Sequence, residues 1–322
     1  MKTALVTGAN GQDGSYLCEL LLEKDYEVHG TVRRNSVVAS QNKRIEHLKD
    51  KITTHYMDLT DESSIRSVID LVGPDEIYNL AAQSHVQVSS KIPKFTFETN
   101  CIGVLNLLEA VKDFNYRHDN IKLYQASTSE MFGNTVDFDG FQRETTGMNP
   151  VSPYAIAKLG AYHLTRHYRN AYNLFVSNGI LFNHCSPRRG ENFVTQKIVR
   201  GAKAIAEGKA DKLYLGNLDS YRDEGHAKDY VEAMWLMLQQ NEPDDFVVAT
   251  GETHSVREFC ATTFEYLGLD YKKYVEVDQQ FVRPQELNYL KGDSSKAKEK
   301  LGWFPKYKYT EIIQDMIKHA EI

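Results

Sequence analysis

The sequence has few cysteines, no long apolar run and no excess of positive charge. Cys18, Cys101, Cys185 and Cys260 lie far apart and form no CxxC pair. Neither a metal site nor a disulfide framework is therefore expected, and reduced thiols in a cytoplasmic protein are the default. No apolar run approaches the ~18 residues of a membrane span, and residues 1–8 are too short a run for a signal peptide. The net charge of −6 gives no sign of nucleic-acid binding.

Strands and helices alternate along the first half of the chain. Strands are predicted at residues 3–7, 26–32, 52–57, 76–80 and 121–128, and helices at 15–23, 62–72 and 97–111. This alternation predicts an α/β fold with a doubly wound parallel sheet, the Rossmann arrangement. Because ligands of such sheets bind beyond the carboxyl ends of the strands, we expect the site there.

The pattern changes after about residue 176. Further helices are predicted at 193–208, 231–239 and 256–267, and strands at 177–182, 213–217 and 246–250. We expect residues 1–175 to form a Rossmann domain that carries the cofactor and the catalytic residues. Residues 176–322 are expected to form mainly a smaller C-terminal α/β lobe that binds substrate, with the strand near 246–250 returning to the sheet.

A glycine-rich turn joins the first strand to the first helix. Gly8, Gly11 and Gly14 are spaced as GxxGxxG directly after a buried strand and before a helical pattern. Glycines permit a tight turn and a close approach of the backbone, and the helix N-terminus attracts a pyrophosphate. The turn therefore predicts a dinucleotide site.

The residues after the second strand indicate which dinucleotide is bound. NAD-preferring sites usually carry an acidic residue there, which holds the ribose hydroxyls. In this chain Arg33 and Arg34 follow instead. Since two guanidinium groups suit a ribose 2′-phosphate, the sequence favours NADP.

Two short motifs predict the catalytic centre. Thr128 and Glu130 are two apart in a segment expected to be extended, so their side chains should share a side. Ser152 and Pro153 are typical of a helix start, and the phenol of Tyr154 lies one turn before Lys158. An ammonium group beside a phenol favours the phenolate, which can take a proton from an alcohol.

Several longer motifs resemble one known family over essentially the whole chain: TGANGQDG at 7–14, YQASTSEMFG at 124–133, SPYAIAK at 152–158 and NGILFNH at 178–184. The chain resembles the extended short-chain dehydrogenase/reductases and, within them, the GDP-mannose 4,6-dehydratase family. The resemblance implies catalytic roles for Thr128, Glu130, Tyr154 and Lys158. It implies NADP contacts from Gly8, Asn10, Gly11, Gln12, Asp13, Gly14, Arg33, Asp58, Leu59, Leu80, Ala81, Ala82, Gln83, Ser84, Tyr154, Lys158, His184 and Arg189. It implies GDP-sugar contacts from Ser84, Asn183, Val194, Lys197, Arg222, Arg283 and Glu286.

The resemblance also implies an oligomer and a reaction. In the family the loop at Arg33 and Arg34 reaches into a neighbouring subunit, which implies a homodimer or homotetramer. Tyr154 would take the proton of the hydroxyl at carbon 4 while hydride passes to NADP, and Thr128 would orient the oxygen. Glu130 would then remove the proton at carbon 5 and protonate the departing hydroxyl at carbon 6. The hydride returns to carbon 6, giving GDP-4-keto-6-deoxymannose.

The chain departs from the family pattern at several positions. Cys185 stands where the family usually has Glu, Glu224 where it has Trp, and Gln196 where it has Arg. Gln285 replaces the usual Thr or Ala, and the loop after Arg34 lacks Ser-Ser-Phe. A carboxylate two residues from Arg222 is expected to weaken or retune the binding of the nucleotide sugar.

Three alternatives stay open from the sequence. The first is a nucleotide-sugar 4-epimerase or 4-reductase, which needs Tyr154 and Lys158 but has no evident use for Glu130. The second is a dehydratase of another GDP-sugar, such as GDP-manno-heptose. The third is a redox sensor that binds NADP without catalysis, against which intact Tyr154 and Lys158 argue.

Overall fold

A computed structural model describes residues 1–35, 41–118, 120–283 and 285–321. Seven strands of these segments form one parallel sheet in the order β3-β2-β1-β4-β5-β6-β11. The predicted fold class is therefore confirmed. The strands are β1 (Thr3–Thr7), β2 (Glu27–Val32), β3 (Thr53–Tyr56), β4 (Glu76–Asn79), β5 (Lys122–Thr128), β6 (Val176–Leu181) and β11 (Asp245–Val248).

Helices cover both faces of the sheet. The helices that follow the first five strands are α1 (Gln12–Glu23), α2 (Glu62–Val72), α3 (Val86–Ser89), α4 (Pro93–Phe97), α5 (Gly103–Arg117) and α6 (Pro153–Tyr172). Residues of α2, α5 and α6 bury one face of the sheet. On the other face α1 packs beside α8 (Ala227–Leu238), so the sheet lies in the middle of three layers.

The later part of the chain adds short strand pairs and helices beside the carboxyl edge of the sheet. The strands pair as β7 (Asn183–Cys185) with β10 (Glu224–His226), β8 (Leu213–Leu215) with β13 (Val275–Val277), and β9 (Tyr221–Arg222) with β12 (His254–Ser255). The remaining helices are α7 (Val194–Ala206), α9 (Val256–Tyr266), α10 (Ser295–Leu301) and α11 (Tyr309–His319). Residues of α7, β8, α9 and α11 share a separate apolar core.

Local sequence explains where the elements begin and end. The Asp61 side chain accepts hydrogen bonds from the first turn of α2, and Gly73 ends that helix with a φ of 55°. The predicted helix at 97–111 is part of a longer helical segment from α4 to α5, with a π turn at Glu98–Ile102 between them. Such π turns are frequent at functional sites.

Two features are absent from the described segments. None of their helices is both long and apolar enough to cross a bilayer. No group of three or more His, Cys, Asp and Glu side chains in those segments is arranged to hold a metal ion.

Candidate active site

A cavity of about 1430 Å³ runs along the carboxyl ends of the strands. Its walls come from the Rossmann sheet on one side and from the later strand pairs and helices on the other. Of the predicted site residues, Arg34 is exposed and does not line the cavity. All the other predicted catalytic, cofactor and substrate residues line it.

The glycine turn is packed too closely to accept side chains. Gly8 has a φ of 67°, and a Cβ there would lie 3.0 Å from the backbone nitrogen of Ala81. A Cβ on Gly14 would lie 2.3 Å from the carbonyl oxygen of Gly8. The N-cap residue of α1 is Gly11, which has no side chain to cap the helix. The amide groups of this turn can therefore bind an anion, so the turn fits a dinucleotide pyrophosphate.

Sequence reasoning missed Arg44 at the same end of the cavity. Its Nε donates to the carbonyl oxygen of Arg188 at 2.8 Å, and its Nη1 donates to that of Asn10 at 3.4 Å. Burial and the nearby Arg188 lower the pKa of Arg44. Arg33 also lines the cavity, with its guanidinium 5.6 Å from the ring centre of Phe95. The loop at residues 36–40, expected to differ from the family, lies outside the described residues.

The backbone at the end of β4 is held by an amide that sequence reasoning also missed. Asn100, in the π turn, accepts from the Gln83 nitrogen and donates to the Gln83 carbonyl oxygen, both at 2.8 Å. Nothing in the sequence near residue 83 indicates this partner. The π turn therefore positions the segment that follows β4 along the cavity wall.

A partly buried ion pair on the cavity wall joins α1 to β7. His184 Nε2 lies 2.9 Å from Asp13 Oδ2, and His184 Nδ1 lies 2.8 Å from the Phe182 carbonyl oxygen. Burial opposes both charges, but the contact with Asp13 outweighs it and raises the pKa of His184. The pKa of Asp13 is lowered in turn, because His184, Gln12 and Arg189 together outweigh its burial.

Tyr154 and Lys158 lie together at the start of α6. Ser152 caps this helix by accepting from Ala155 N at 3.1 Å. Lys158 Nζ donates to the Ala126 carbonyl oxygen at 2.8 Å and lies 6.0 Å from the centre of the Tyr154 ring. The helix thus brings the two side chains together as its register predicts.

The electrostatics of this pair differ from the expectation of a favoured phenolate. Burial raises the pKa of Tyr154 to about 12, although a hydrogen bond with Thr128 lowers it. Burial also lowers the pKa of Lys158 to about 8. The ammonium therefore loses its charge before the phenol titrates, and it cannot by itself stabilise the phenolate at high pH.

Glu130 reaches the cavity by a different backbone path from the one predicted. The extended segment ends at Thr128, and Glu130 lies in a 3₁₀ turn over Ser129–Phe132. Thr128 Oγ1 accepts from Glu130 N at 3.2 Å, which starts that turn. Both side chains still line the cavity, so the expected grouping holds although the reasoning from strand alternation was wrong.

The carboxylate of Glu130 is buried and only half satisfied. Its Oε1 lies 3.3 Å from Arg283 Nη1. Its Oε2 is buried and has no hydrogen-bond partner in the part of the chain that the structure describes. A buried carboxylate oxygen without a partner is costly, so this atom is suited to contact a ligand.

Cationic side chains lie at the other end of the cavity. Burial lowers the pKa of Arg222 to about 10, and its Nη1 donates to the Tyr221 carbonyl oxygen at 2.8 Å. Lys197 Nζ lies 3.4 Å from the ring centre of Phe281. Glu286 accepts from the Arg283 backbone nitrogen at 2.8 Å. These cations suit an anionic ligand group.

Asp223 fixes the strand that carries Arg222. It is fully buried and accepts four hydrogen bonds, from Thr250 N at 2.8 Å, Thr250 Oγ1 at 2.6 Å, Gly251 N at 2.9 Å and Gly292 N at 3.2 Å. Burial nevertheless raises the pKa of Asp223 to about 6. This carboxylate therefore joins its own segment to the loops at Thr250 and Gly292.

The departures from the family pattern fall in different places. Glu224 lines the cavity, and burial raises its pKa against the opposing effect of Arg189 and of a hydrogen bond from Cys185. Gln196 is buried and does not line the cavity. Gln285 lines a smaller adjoining cavity of about 310 Å³, whose wall also includes Arg283.

Comparisons with known proteins show which family and which structures the chain is similar to. A family model described as GDP-mannose 4,6 dehydratase matches residues 5–316. GDP-mannose 4,6 dehydratase 1 of Arabidopsis thaliana is 53% identical, covering 98% of this chain and 89% of that protein. The Homo sapiens GDP-mannose 4,6 dehydratase is 48% identical, covering 99% and 91%. A solved structure of the UDP-glucose 4-epimerase of Thermus thermophilus in complex with NAD has a TM-score of 0.85 at 28% identity, covering 98% of each chain.

Proposed function

Because the chain belongs to the GDP-mannose 4,6-dehydratase family, we propose that it converts GDP-mannose to GDP-4-keto-6-deoxymannose by eliminating water. The observation that carries the proposal is Glu130, whose buried Oε2 has no partner in the described segments. It lies on the cavity wall with Thr128 and Tyr154. An epimerase or reductase needs no such acid–base group.

The cavity supports a nicotinamide dinucleotide as cofactor. The crowded glycine turn and the uncapped N-terminus of α1 fit its pyrophosphate. When bound, the cofactor would supply a hydride acceptor for carbon 4 of the sugar and a hydride donor for carbon 6. We assign NADP rather than NAD, because Arg33 and Arg44 line the adjacent wall and guanidinium groups suit a 2′-phosphate.

Each catalytic side chain has a separate task in this proposal. Tyr154 takes the proton of the hydroxyl at carbon 4, and Thr128 hydrogen-bonds the same oxygen. Lys158 supplies positive charge beside the phenol. Glu130 removes the proton at carbon 5, which the neighbouring ketone has made acidic, and then protonates the leaving hydroxyl at carbon 6. When hydride is added at carbon 6, carbon 5 takes up a proton again, and the proton that Tyr154 took from carbon 4 balances this step.

The nucleotide part of the substrate is assigned to the later segments of the chain. Lys197, Arg222 and Arg283 would bind the diphosphate through charge-assisted hydrogen bonds. Asn183, Val194, Glu286 and Ser84 complete the substrate contacts in this proposal. We also propose that residues 1–175 bind the cofactor while residues 176–322 mainly bind the nucleotide sugar.

Assembly and location complete the proposal. We assign a homodimer or homotetramer formed through the loop at Arg33 and Arg34, which is supported by the exposed position of Arg34 outside the cavity. A cytoplasmic location is supported by the four cysteines, all of which are free thiols.

The test is to incubate the NADP-loaded protein with GDP-mannose and to follow the product by mass spectrometry. We expect a product that has lost one water and carries a ketone, without net consumption of cofactor. Unchanged substrate in the presence of bound cofactor would reject the proposal. Net oxidation of NADPH, or a product that keeps its carbon-6 oxygen, would identify a reductase or an epimerase.

Two variants and a substrate panel make this test specific. Glu130→Gln should still oxidise the sugar and accumulate reduced cofactor, since it lacks only the base for elimination. Tyr154→Phe should abolish both steps, and normal turnover would exclude the assigned role. A panel that includes GDP-manno-heptose would show which GDP-sugar is preferred.

A further inference from the structure

The catalytic acid and the proposed diphosphate site share one guanidinium group. Two arginines, Arg222 and Arg283, and three glutamates, Glu130, Glu224 and Glu286, form one cluster on the cavity wall. Arg283 Nη1 lies 3.3 Å from Glu130 Oε1, whereas Glu286 accepts from the backbone nitrogen of Arg283. Arg283 therefore has its side chain directed to the acid that performs the elimination.

Carboxylates already surround the guanidinium groups of this cluster before any ligand is added. Glu130, Glu224 and Glu286 all act on the charge of Arg222, but in the described segments it is Arg283 whose guanidinium group forms an ion pair within 4 Å. A diphosphate that binds Arg283 must therefore compete with a carboxylate for its guanidinium group. Glu130 is the carboxylate that contacts the Arg283 side chain, so it is the one whose contact a ligand would displace.

The contact is of a kind that a phosphate can displace. The Arg283 side chain is 28% exposed, and partly exposed ion pairs contribute little net free energy because water and salt screen them. Phosphate oxygens accept short, often bidentate hydrogen bonds from arginine, which are stronger. Where sugar hydroxyls become the new partners of the buried Glu130 carboxylate, whose side chain is 8% exposed, an exchange of partners from Glu130 to a phosphate is therefore favourable.

We propose, on the basis of the dehydratase function above, that Arg283 is a positioning residue that couples diphosphate binding to the readiness of Glu130. The guanidinium group holds the carboxylate until the diphosphate of the substrate draws it away. Both oxygens of Glu130 then face the sugar, one to take the carbon-5 proton and the other to hydrogen-bond the carbon-6 hydroxyl. The elimination machinery is thus released only by a substrate that carries a diphosphate.

The proposal predicts an energetic coupling that GDP binding alone reveals. If GDP must displace Glu130 from Arg283, Glu130→Gln should bind GDP more tightly than the unmodified protein, by about fivefold for a partly exposed ion pair. In an Arg283→Met background the same Glu130→Gln change should have no effect on GDP affinity. Isothermal titration calorimetry of the four proteins gives this double-mutant cycle.

Arg222→Met provides the matched control. Arg222 belongs to the same cluster but forms no ion pair with Glu130 within 4 Å in the described segments. Glu130→Gln should therefore still tighten GDP binding in the Arg222→Met background. Equal tightening in the Arg283→Met background would show a general charge effect and would overturn the proposal, as would unchanged GDP affinity in Glu130→Gln. If Arg283→Met does not fold, Arg283→Gln takes its place in the cycle.

A catalytic measurement separates coupling from a role of Arg283 in the elimination itself. With saturating GDP-mannose, Arg283→Met should accumulate no more reduced cofactor than Arg222→Met, because both variants lose a diphosphate contact and neither loses the base for elimination. Accumulation of reduced cofactor in Arg283→Met alone would contradict the proposal, because it would show that elimination needs the guanidinium group. If GDP does not bind but another nucleoside diphosphate does, the proposed substrate fails, and the cycle can still be measured with that nucleotide.

Discussion

The acidity of the Tyr154 phenol decides when this site can begin its reaction. Burial raises its pKa to about 12, which leaves roughly one phenol in 10⁴ ionised at about pH 8. Reaching the phenolate at that pH therefore costs roughly 5 kcal/mol. Something beyond the apoprotein must offset this cost.

Two positive charges, those of the oxidised cofactor and of Lys158, can together offset this free-energy cost. A unit charge about 4 Å away contributes ~4 kcal/mol at an effective dielectric constant of about 20. Lys158 Nζ lies 6.0 Å from the ring centre, where the same relation gives roughly 3 kcal/mol. We therefore expect oxidised cofactor and charged Lys158 together to bring the pKa of Tyr154 close to neutral, and neither alone to suffice.

The assay follows the phenolate by ultraviolet difference absorbance, with Tyr154→Phe as the blank. Cofactor-free protein should show no Tyr154 phenolate up to about pH 10. With oxidised cofactor bound, the phenolate signal should appear at a pH several units lower. With reduced cofactor, whose nicotinamide ring is neutral, the signal should not shift.

Lys158→Met tests the contribution of the ammonium group separately. With oxidised cofactor bound, this variant should raise the pKa of Tyr154 by about two units, since one unit is worth about 1.36 kcal/mol. A phenolate near neutral pH in the cofactor-free protein would refute the reasoning, as would an unchanged titration in Lys158→Met.

Three further predictions test the structure elsewhere. Gly14→Ala places a Cβ 2.3 Å from a backbone oxygen and should weaken cofactor binding at least roughly tenfold, as measured by fluorescence titration. Gly147→Ala is the control, because its Cβ makes only an ordinary contact at 3.9 Å, and it should leave cofactor binding unchanged. Ser152→Ala removes the N-cap of α6 and should lower the free energy of unfolding by about 1 kcal/mol in chemical denaturation; an unchanged midpoint would contradict the cap. The raised pKa of Asp223, about 6, favours the folded state at low pH, and this contribution is lost as the pH rises through about 6. The free energy of unfolding of Asp223→Asn should therefore rise by roughly 3 kcal/mol relative to that of the unmodified protein between about pH 4 and pH 7. Parallel curves of stability against pH for the two proteins would refute this prediction.

Local patterns in the sequence predicted most of the sheet, and together with the family resemblance they predicted many of the residues that line the cavity. The glycine turn, the register of Tyr154 and Lys158, and the strand ends each depend on a few consecutive residues. The backbone path at Glu130, which was predicted wrongly, also has a local cause. The Thr128 hydroxyl accepts a hydrogen bond from the Glu130 backbone nitrogen, and the strand ends there. Strand alternation could not show this.

Contacts between distant segments could not be predicted from the sequence in the same way. The ion pair of Asp13 with His184 joins residues 171 positions apart, and that of Glu130 with Arg283 joins residues 153 apart. Arg44 and Asn100 carry no motif that relates them to the cavity. Their roles arise from the packing of whole elements, which fixes partners only after the chain has folded.

The position of β11 determines how late in synthesis the sheet can be completed. This strand pairs with β6 at the edge of the sheet, but residues 182–244 lie between them in the chain. A ribosome must therefore release residues through Val248 before the last strand of the sheet can dock. A fragment that stops at residue 175 would lack both β6 and β11, so that β5 would pair only with β4 and its other edge would be open to aggregation.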